Sequence, residues 1–117
     1  MQNEIPLFQK IYDFYKLYYQ FIDHLPQKTR TVLGKKIEDL ILKLLQFISK
    51  ARFVHGQEKL NLLNKMSDDL DFLKTLFRLA FEIKAIDQEK YFLFEEKLQE
   101  MGWMLGSWIK ERNNARS

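Results

Sequence analysis

The sequence predicts an all-α protein, an antiparallel up-down-up-down four-helix bundle, and three observations carry that prediction. Only four glycines and two prolines interrupt 117 residues, too few for the many tight turns of an all-β domain. Apolar residues recur at three- and four-residue intervals over four long stretches, the period of a helix that buries one face. The breaks between those stretches are short, so each helix is expected to return beside the one before it. A chain of this length is expected to form one domain, residues 1–117, with a core large enough to need no staples.

Helix 1 is expected over 7–24, after Pro6, which suits a first helical turn. Its pattern is more apolar than one face requires. Phe8, Ile11, Tyr15, Tyr18 and Ile22 are expected to face the core, with Tyr12 and Tyr19 widening the stripe, while Phe14, Leu17 and Phe21 fall on a separate flank. That flank either meets a second neighbour in the bundle or forms a subunit interface. His24-Leu25-Pro26 ends the helix, because the residue before proline is pushed out of the α region.

Helix 2 is expected over 28–52, with Leu33, Ile37, Leu40, Leu44, Phe47, Ile48 and Ala51 facing inward. Gly34 lowers helix propensity by about 1 kcal/mol relative to alanine, so it is expected to permit a close backbone approach. Gly56 closes the break that follows. Helix 3, 57–86, carries two apolar series, Leu63-Met66-Leu70-Leu73-Phe77-Ala80 and Phe72-Leu76-Leu79-Ile83-Ile86. Two series imply two partners, both within the bundle or one of them another subunit. Helix 4, 87–112, has Asp87 as its expected N-cap and Tyr91, Phe94, Leu98, Met101, Leu105 and Trp108 as its core seam. Phe92 and Trp103 share another face and join Phe14, Leu17 and Phe21 as candidate oligomer-interface residues. Gly102 and Gly106 are expected to form a notch where a neighbouring helix approaches.

Charge is concentrated in one place. The chain as a whole carries +3, but from Lys28 to Arg52 seven basic residues stand against Glu38 and Asp39, a net of +5. Lys36, Lys43 and Lys50 recur every seven residues, which returns each to nearly the same azimuth about 10.5 Å further along the axis. Lys28, Arg30, Lys35, Lys36, Lys43, Lys50 and Arg52, with Lys110 and Arg112 near the C-terminus, are therefore the candidate nucleic-acid contacts. A solvated helix face is the ordinary fate of such lysines and remains the competing reading.

Other chemistry lacks its residues. Without cysteine neither a disulfide framework nor a thiolate zinc site forms. Glu-x-x-His pairs of the di-metal bundles are absent, and His24 and His55 sit at helix ends, so no metal and no cofactor are expected. No glycine-rich phosphate loop and no nucleophile, base and orienting group combine into a catalytic set, so the chain is not expected to be an enzyme. No apolar run approaches the ~18 residues of a membrane span, and the start MQNEIPLF lacks a signal pattern. A cytoplasmic protein with no membrane partner is the expectation.

Two stretches resemble a known family. Leu25-Pro26-x-x-x-Arg30 followed by Leu33-Gly34, together with Met104-Leu105-Gly106-Ser107-Trp108-Ile109-Lys110, resemble the accessory variability determinant (Avd) of diversity-generating retroelements. The first stretch is also similar to the related proteins encoded in intervening sequences of large-subunit ribosomal RNA genes. The Avd resemblance implies a four-helix bundle that assembles as a homopentameric barrel, binds RNA or DNA, and supports error-prone copying of a template RNA by a partner reverse transcriptase. Pro26, Arg30, Gly34, Gly106 and Trp108 are the motif positions it carries over, as structural residues. The alternatives are an intervening-sequence-type scaffold with no reverse-transcriptase partner, and a purely structural interaction module.

Overall fold

The computed structural model describes residues 4–116, with side chains over 6–114. Helix α1 is Glu4–Phe21 and ends in a 3₁₀ turn, Ile22–His24. Helix α2 starts with the turn Gln27–Thr29, passes through a π-helical stretch, Arg30–Gly34, and continues as a regular α-helix, Lys35–Ala51. Helices α3 and α4 are Gly56–Glu82 and Gln88–Arg116. Among the described residues there is no strand, and no helix is long and apolar enough to cross a membrane.

The pairings between helices give their directions. Tyr15 meets Glu38 and Tyr18 meets Gly34 across α1 and α2. Lys43 meets Asp69, whereas Lys36 lies beside Leu76 and Leu79, across α2 and α3. Lys59 meets Trp108 and Phe81 meets Tyr91 across α3 and α4, and Lys10 meets Glu100 while Phe21 meets Phe94 across α4 and α1. In every pair one residue number rises as the other falls, so neighbouring helices run in opposite directions. The result is a rod of 48 × 21 × 19 Å.

Five aromatic rings fill its centre. Phe14 stands edge-on to Phe77 at 5.9 Å and to Phe94 at 5.6 Å, Tyr18 edge-on to the same two rings, and Phe21 edge-on to Phe94 at 5.3 Å. Such T-shaped contacts add about 0.5–1.5 kcal/mol each beyond area burial. They correct the expected phase of α1. Phe14, only 1% exposed, and Phe21 belong to the core of the single chain together with Leu7, Ile11, Tyr18 and Leu25, so neither is available to a subunit interface. Tyr12 and Tyr19 are exposed instead. Gln9, Asp13, Lys16 and Gln20 mark one solvent face, but the apolar arc opposite is too wide for spacing alone to fix its centre, and burying the largest rings removes the most apolar surface from water.

The inward stripes of the other helices follow their periodicity. Ile37, Leu40, Leu44, Ile48 and Ala51 of α2 are buried, as is every residue of the first α3 series and, in α4, Phe94, Leu98, Met101, Leu105 and Trp108. Of the second α3 series, Leu76 and Ile86 are buried, whereas Phe72, Leu79 and Ile83 are exposed.

Tyr18 also fastens α1 to α2. Its hydroxyl, wholly buried, donates a 2.7 Å hydrogen bond to the Gly34 carbonyl, and burial raises its pKa, which keeps it a donor. A Cβ on Gly34 would lie 3.1 Å from Leu25 Cδ1 and 3.4 Å from the Tyr18 hydroxyl, so glycine allows the approach. At the start of α4, Asp87 Oδ1 accepts from the Lys90 amide at 2.8 Å, an N-cap bond.

Helix α3 stops at Glu82, four residues before the expected end. Ala85 donates to Ala80 and Lys84 to Phe81, the paired bonds of a Schellman stop, with Lys84 in the left-handed region at φ 65. Gly106 also departs from expectation. A Cβ there would meet nothing within 4 Å, whereas at Gly102 it would approach Lys74 Nζ at 3.1 Å and Leu70 Cδ2 at 3.5 Å. Only Gly102 therefore sits against a neighbouring helix.

Two stability outcomes follow. Tyr18→Phe removes the hydrogen bond to the buried Gly34 carbonyl and should cost about 0.5–1.5 kcal/mol in chemical denaturation. Gly106→Ala, on an open helical site, should stabilise by about 0.5–1 kcal/mol; a loss of that size would mean the site is crowded after all.

Candidate functional site

The seven-residue period of Lys36, Lys43 and Lys50 keeps all three exposed along one flank of α2, but they are not equivalent. Lys43 reaches Asp69 of α3 at 3.4 Å and lies 5.6 Å from the centre of the Phe47 ring. Asp69 is largely enclosed, so this lysine has a local task. Lys35 is answered by Asp39 at 3.3 Å and Glu38 at 4.0 Å, and Arg30 by Asp23 at 3.4 Å. Among the described residues no ion pair reaches Lys28, Lys36 or Lys50. The charge dense in sequence is thus partly neutralised in space.

What remains separates into two places. The first is the end of the rod where α2 and α4 finish and α3 begins. Lys50 and Arg52 flank the α2–α3 connection, and Lys59 of α3 lies over the Trp108 ring at 5.6 Å, which brings the last turns of α4, with Lys110 and Arg112, to that same end. Phe53 projects there, 74% exposed, with the Arg52 guanidinium 5.5 Å from its ring centre. Among the described side chains, Glu58 and Glu111 are acidic residues of this end. Cations at helix C-termini also complement the helix dipole. Lys110 is exposed and Arg112 half-buried.

The second place is a groove of about 670 Å³ between the start of α2 and the end of α3. Leu33, Leu76, Leu79 and Ile83 floor it, Val32, 75% exposed, stands at its edge, and Lys28 and Lys36 rim it. Sequence periodicity marked the α3 side as a second apolar series. Val32 was missed, because α2 has a complete inward stripe without it.

A smaller cleft of about 190 Å³ between α1 and α4 is lined by Phe14, Leu17, Met101 and the charged Lys10, Asp13, Lys97 and Glu100. Lys10 pairs with Glu100 there, and the hydrogen bond from Lys10 holds the Glu100 carboxyl below its usual range. Of the remaining candidate interface residues, Leu17 is half-buried, while Phe92 and Trp103 project from α4, 56% and 79% exposed. His24 and His55 lie at helix ends, and among the described residues no group of three or more His, Asp or Glu side chains would hold a metal ion.

A family model described as bAvd-like matches residues 6–112. The chain belongs to the bAvd-like family. Its fold also matches a crystal structure from Bacteroides thetaiotaomicron, that of a protein with unknown function from the S23 ribosomal protein family. The two superpose with a TM-score of 0.83 at 18% identity, covering 92% of this chain and 98% of the other. At that identity the likeness concerns the fold. No curated protein sequence matches the chain.

The bAvd-like bundle thus presents three lysines of one stripe in different electrostatic settings, and their removal should separate them. Lys43→Gln leaves the enclosed Asp69 carboxylate without its cation and should cost about 0.5–1 kcal/mol. Lys36→Gln and Lys50→Gln should stay within about 0.5 kcal/mol of the parent. Urea denaturation of the three variants reads the difference directly.

Proposed function

We propose that this bAvd-like protein is a non-catalytic accessory factor of a diversity-generating retroelement. As a homopentameric ring it holds template RNA or complementary DNA and the reverse transcriptase together during mutagenic copying. Family membership supports the general reading. The observation that carries the nucleic-acid part is the meeting, at one end of the rod, of Lys50 and Arg52 from α2 with Lys110 and Arg112 from α4, beside exposed Phe53.

The chemistry is that of backbone contact. Ammonium and guanidinium groups meet phosphate oxygens and displace condensed counterions, which gives affinity without reading sequence. An exposed ring such as Phe53 offers a face on which an unpaired base stacks, a contact worth about 1–3 kcal/mol and tolerant of base identity. Repeated around a ring of subunits, one modest cluster becomes several equivalent contacts on a single strand, and the avidity grows without any new chemistry. A bundle whose net charge is only +3 relies on that repetition and on the polymerase for its hold.

The second reading is a ribosomal intervening-sequence-type scaffold, and the likeness in fold to the S23-family protein favours it. It uses the same basic end and has no reverse-transcriptase partner. Both readings are tested by one set of proteins. Replacing Lys50, Arg52 and Lys110 together by glutamine should lower the log-log salt slope of single-strand binding by about 2, at about 0.7 per lost contact. Unchanged binding would return these residues to their role at helix C-termini. Co-purification with the reverse transcriptase of the same element separates the two readings, since the scaffold reading forbids a stable complex.

A further inference from the structure

The apolar groove between α2 and α3 and the aromatic edge of α4 have the same pitch. On α3 the stripe that floors the groove runs Leu76-Leu79-Ile83, with exposed Phe72 continuing it beyond the groove, and on α4 the projecting stripe runs Phe92-Glu96-Gln99-Trp103. Both follow steps of four, three and four residues, so each forms a straight ridge about 16.5 Å long. Stripes with alternating three- and four-residue spacing pack at a shallow angle, as in left-handed helix pairs.

Charge divides between them in opposite sense. The groove is rimmed by Lys28 and Lys36, which no acid answers among the described residues. On the α4 edge Glu89 and Glu96 are exposed and equally unanswered among the described residues. The groove supplies an apolar floor and two free cations, and the edge supplies two projecting aromatic rings and two free carboxylates. Opposite charges around an apolar centre favour the correct pairing and disfavour groove against groove or edge against edge.

From this complementarity we infer that the α2–α3 groove receives the α4 edge of a second copy of the chain, joining subunits head to tail. The inference rests on the oligomeric reading above and names the two surfaces it uses. Because groove and edge lie on different sides of the rod, each subunit keeps one of each free after pairing. Such a heterologous contact propagates until it closes on itself, and a closed ring is its natural end. The occupant is a helix of this chain, so the ring requires no other protein to form. The Lys50, Arg52 and Lys110 end takes no part in the contact and stays open in the assembly.

The test measures mass in solution by sedimentation or native mass spectrometry. Leu79→Asp removes the groove and Trp103→Asp removes the edge; each variant alone should be monomeric, with circular dichroism confirming that it remains helical. Mixed together, they retain one intact groove and one intact edge, and should give a one-to-one dimer and nothing larger. An independent pair of variants uses charge alone. Lys28→Glu with Lys36→Glu should weaken assembly, and adding Glu89→Lys with Glu96→Lys in the same chain should restore it.

A parent protein that is itself monomeric overturns the oligomeric reading and this inference with it. A parent oligomer whose mass survives either aspartate variant overturns the inference alone. So does a mixture that stays monomeric, or a charge-swapped chain that fails to reassemble. If the groove variants keep their mass and lose only reverse transcriptase or nucleic acid, the groove belongs to that other partner and the inference is again overturned.

Discussion

The packing of Phe14, Tyr18 and Phe21 against Phe77 and Phe94 is the contact on which the rest of the structure depends. It ties α1 to α3 and α4, and Tyr18 extends the tie to α2 through its hydroxyl and the Gly34 carbonyl. One residue thereby sets the rotation of α1 and the position of α2 together. Large rings in fixed edge-on geometry tolerate little rotation, so the cluster also decides what each helix turns outward. The exposure of Tyr12 and Tyr19 on α1 follows from it.

Where a helix alternates an apolar stripe with polar residues, its inward face was legible from spacing, as with Leu63 to Ala80 in α3 and Phe94 to Trp108 in α4. The rotation of α1 was not, because its apolar arc, opposite the polar stripe Gln9-Asp13-Lys16-Gln20, is wide enough that several phases bury similar area. Neither was the end of α3. A helix stop is usually announced by glycine, and here Lys84 takes the left-handed conformation, held by the two backbone bonds of the Schellman turn. Gly34 and Gly106 show the same limit from the other side. Both break a helical pattern, yet one meets a neighbouring helix and the other open space, a difference that resides in tertiary packing.

The candidate site was legible as composition and illegible as arrangement. The sequence shows seven basic residues close together in α2, but Asp69 and Asp23, which neutralise two of them, come from other helices or the preceding turn. Conversely, Lys110 and Arg112 lie far from Lys50 in the chain and reach the same end only because α4 runs opposite to α3. Charge and exposed apolar surface therefore meet at two separate places on the rod, the basic end with Phe53 and the groove with Lys28 and Lys36. Each can be altered while the aromatic core stands.

The π-helical stretch Arg30–Gly34 decouples the start of α2 from the rest of it. Its wider turn accommodates one residue more than a regular helix would use over the same rise. The Tyr18 hydroxyl grips the downstream end of that turn at Gly34, so the register from Lys35 to Ala51 is fixed from that point onward. The extra residue is thus taken up upstream of Gly34, in the turn that carries Val32 and Leu33 to the groove, and the inward stripe of α2 begins after it. The conformation of this one turn therefore bears on the outer wall of the groove, through Lys28, Thr29, Val32 and Leu33, and not on the buried residues Ile37 to Ala51.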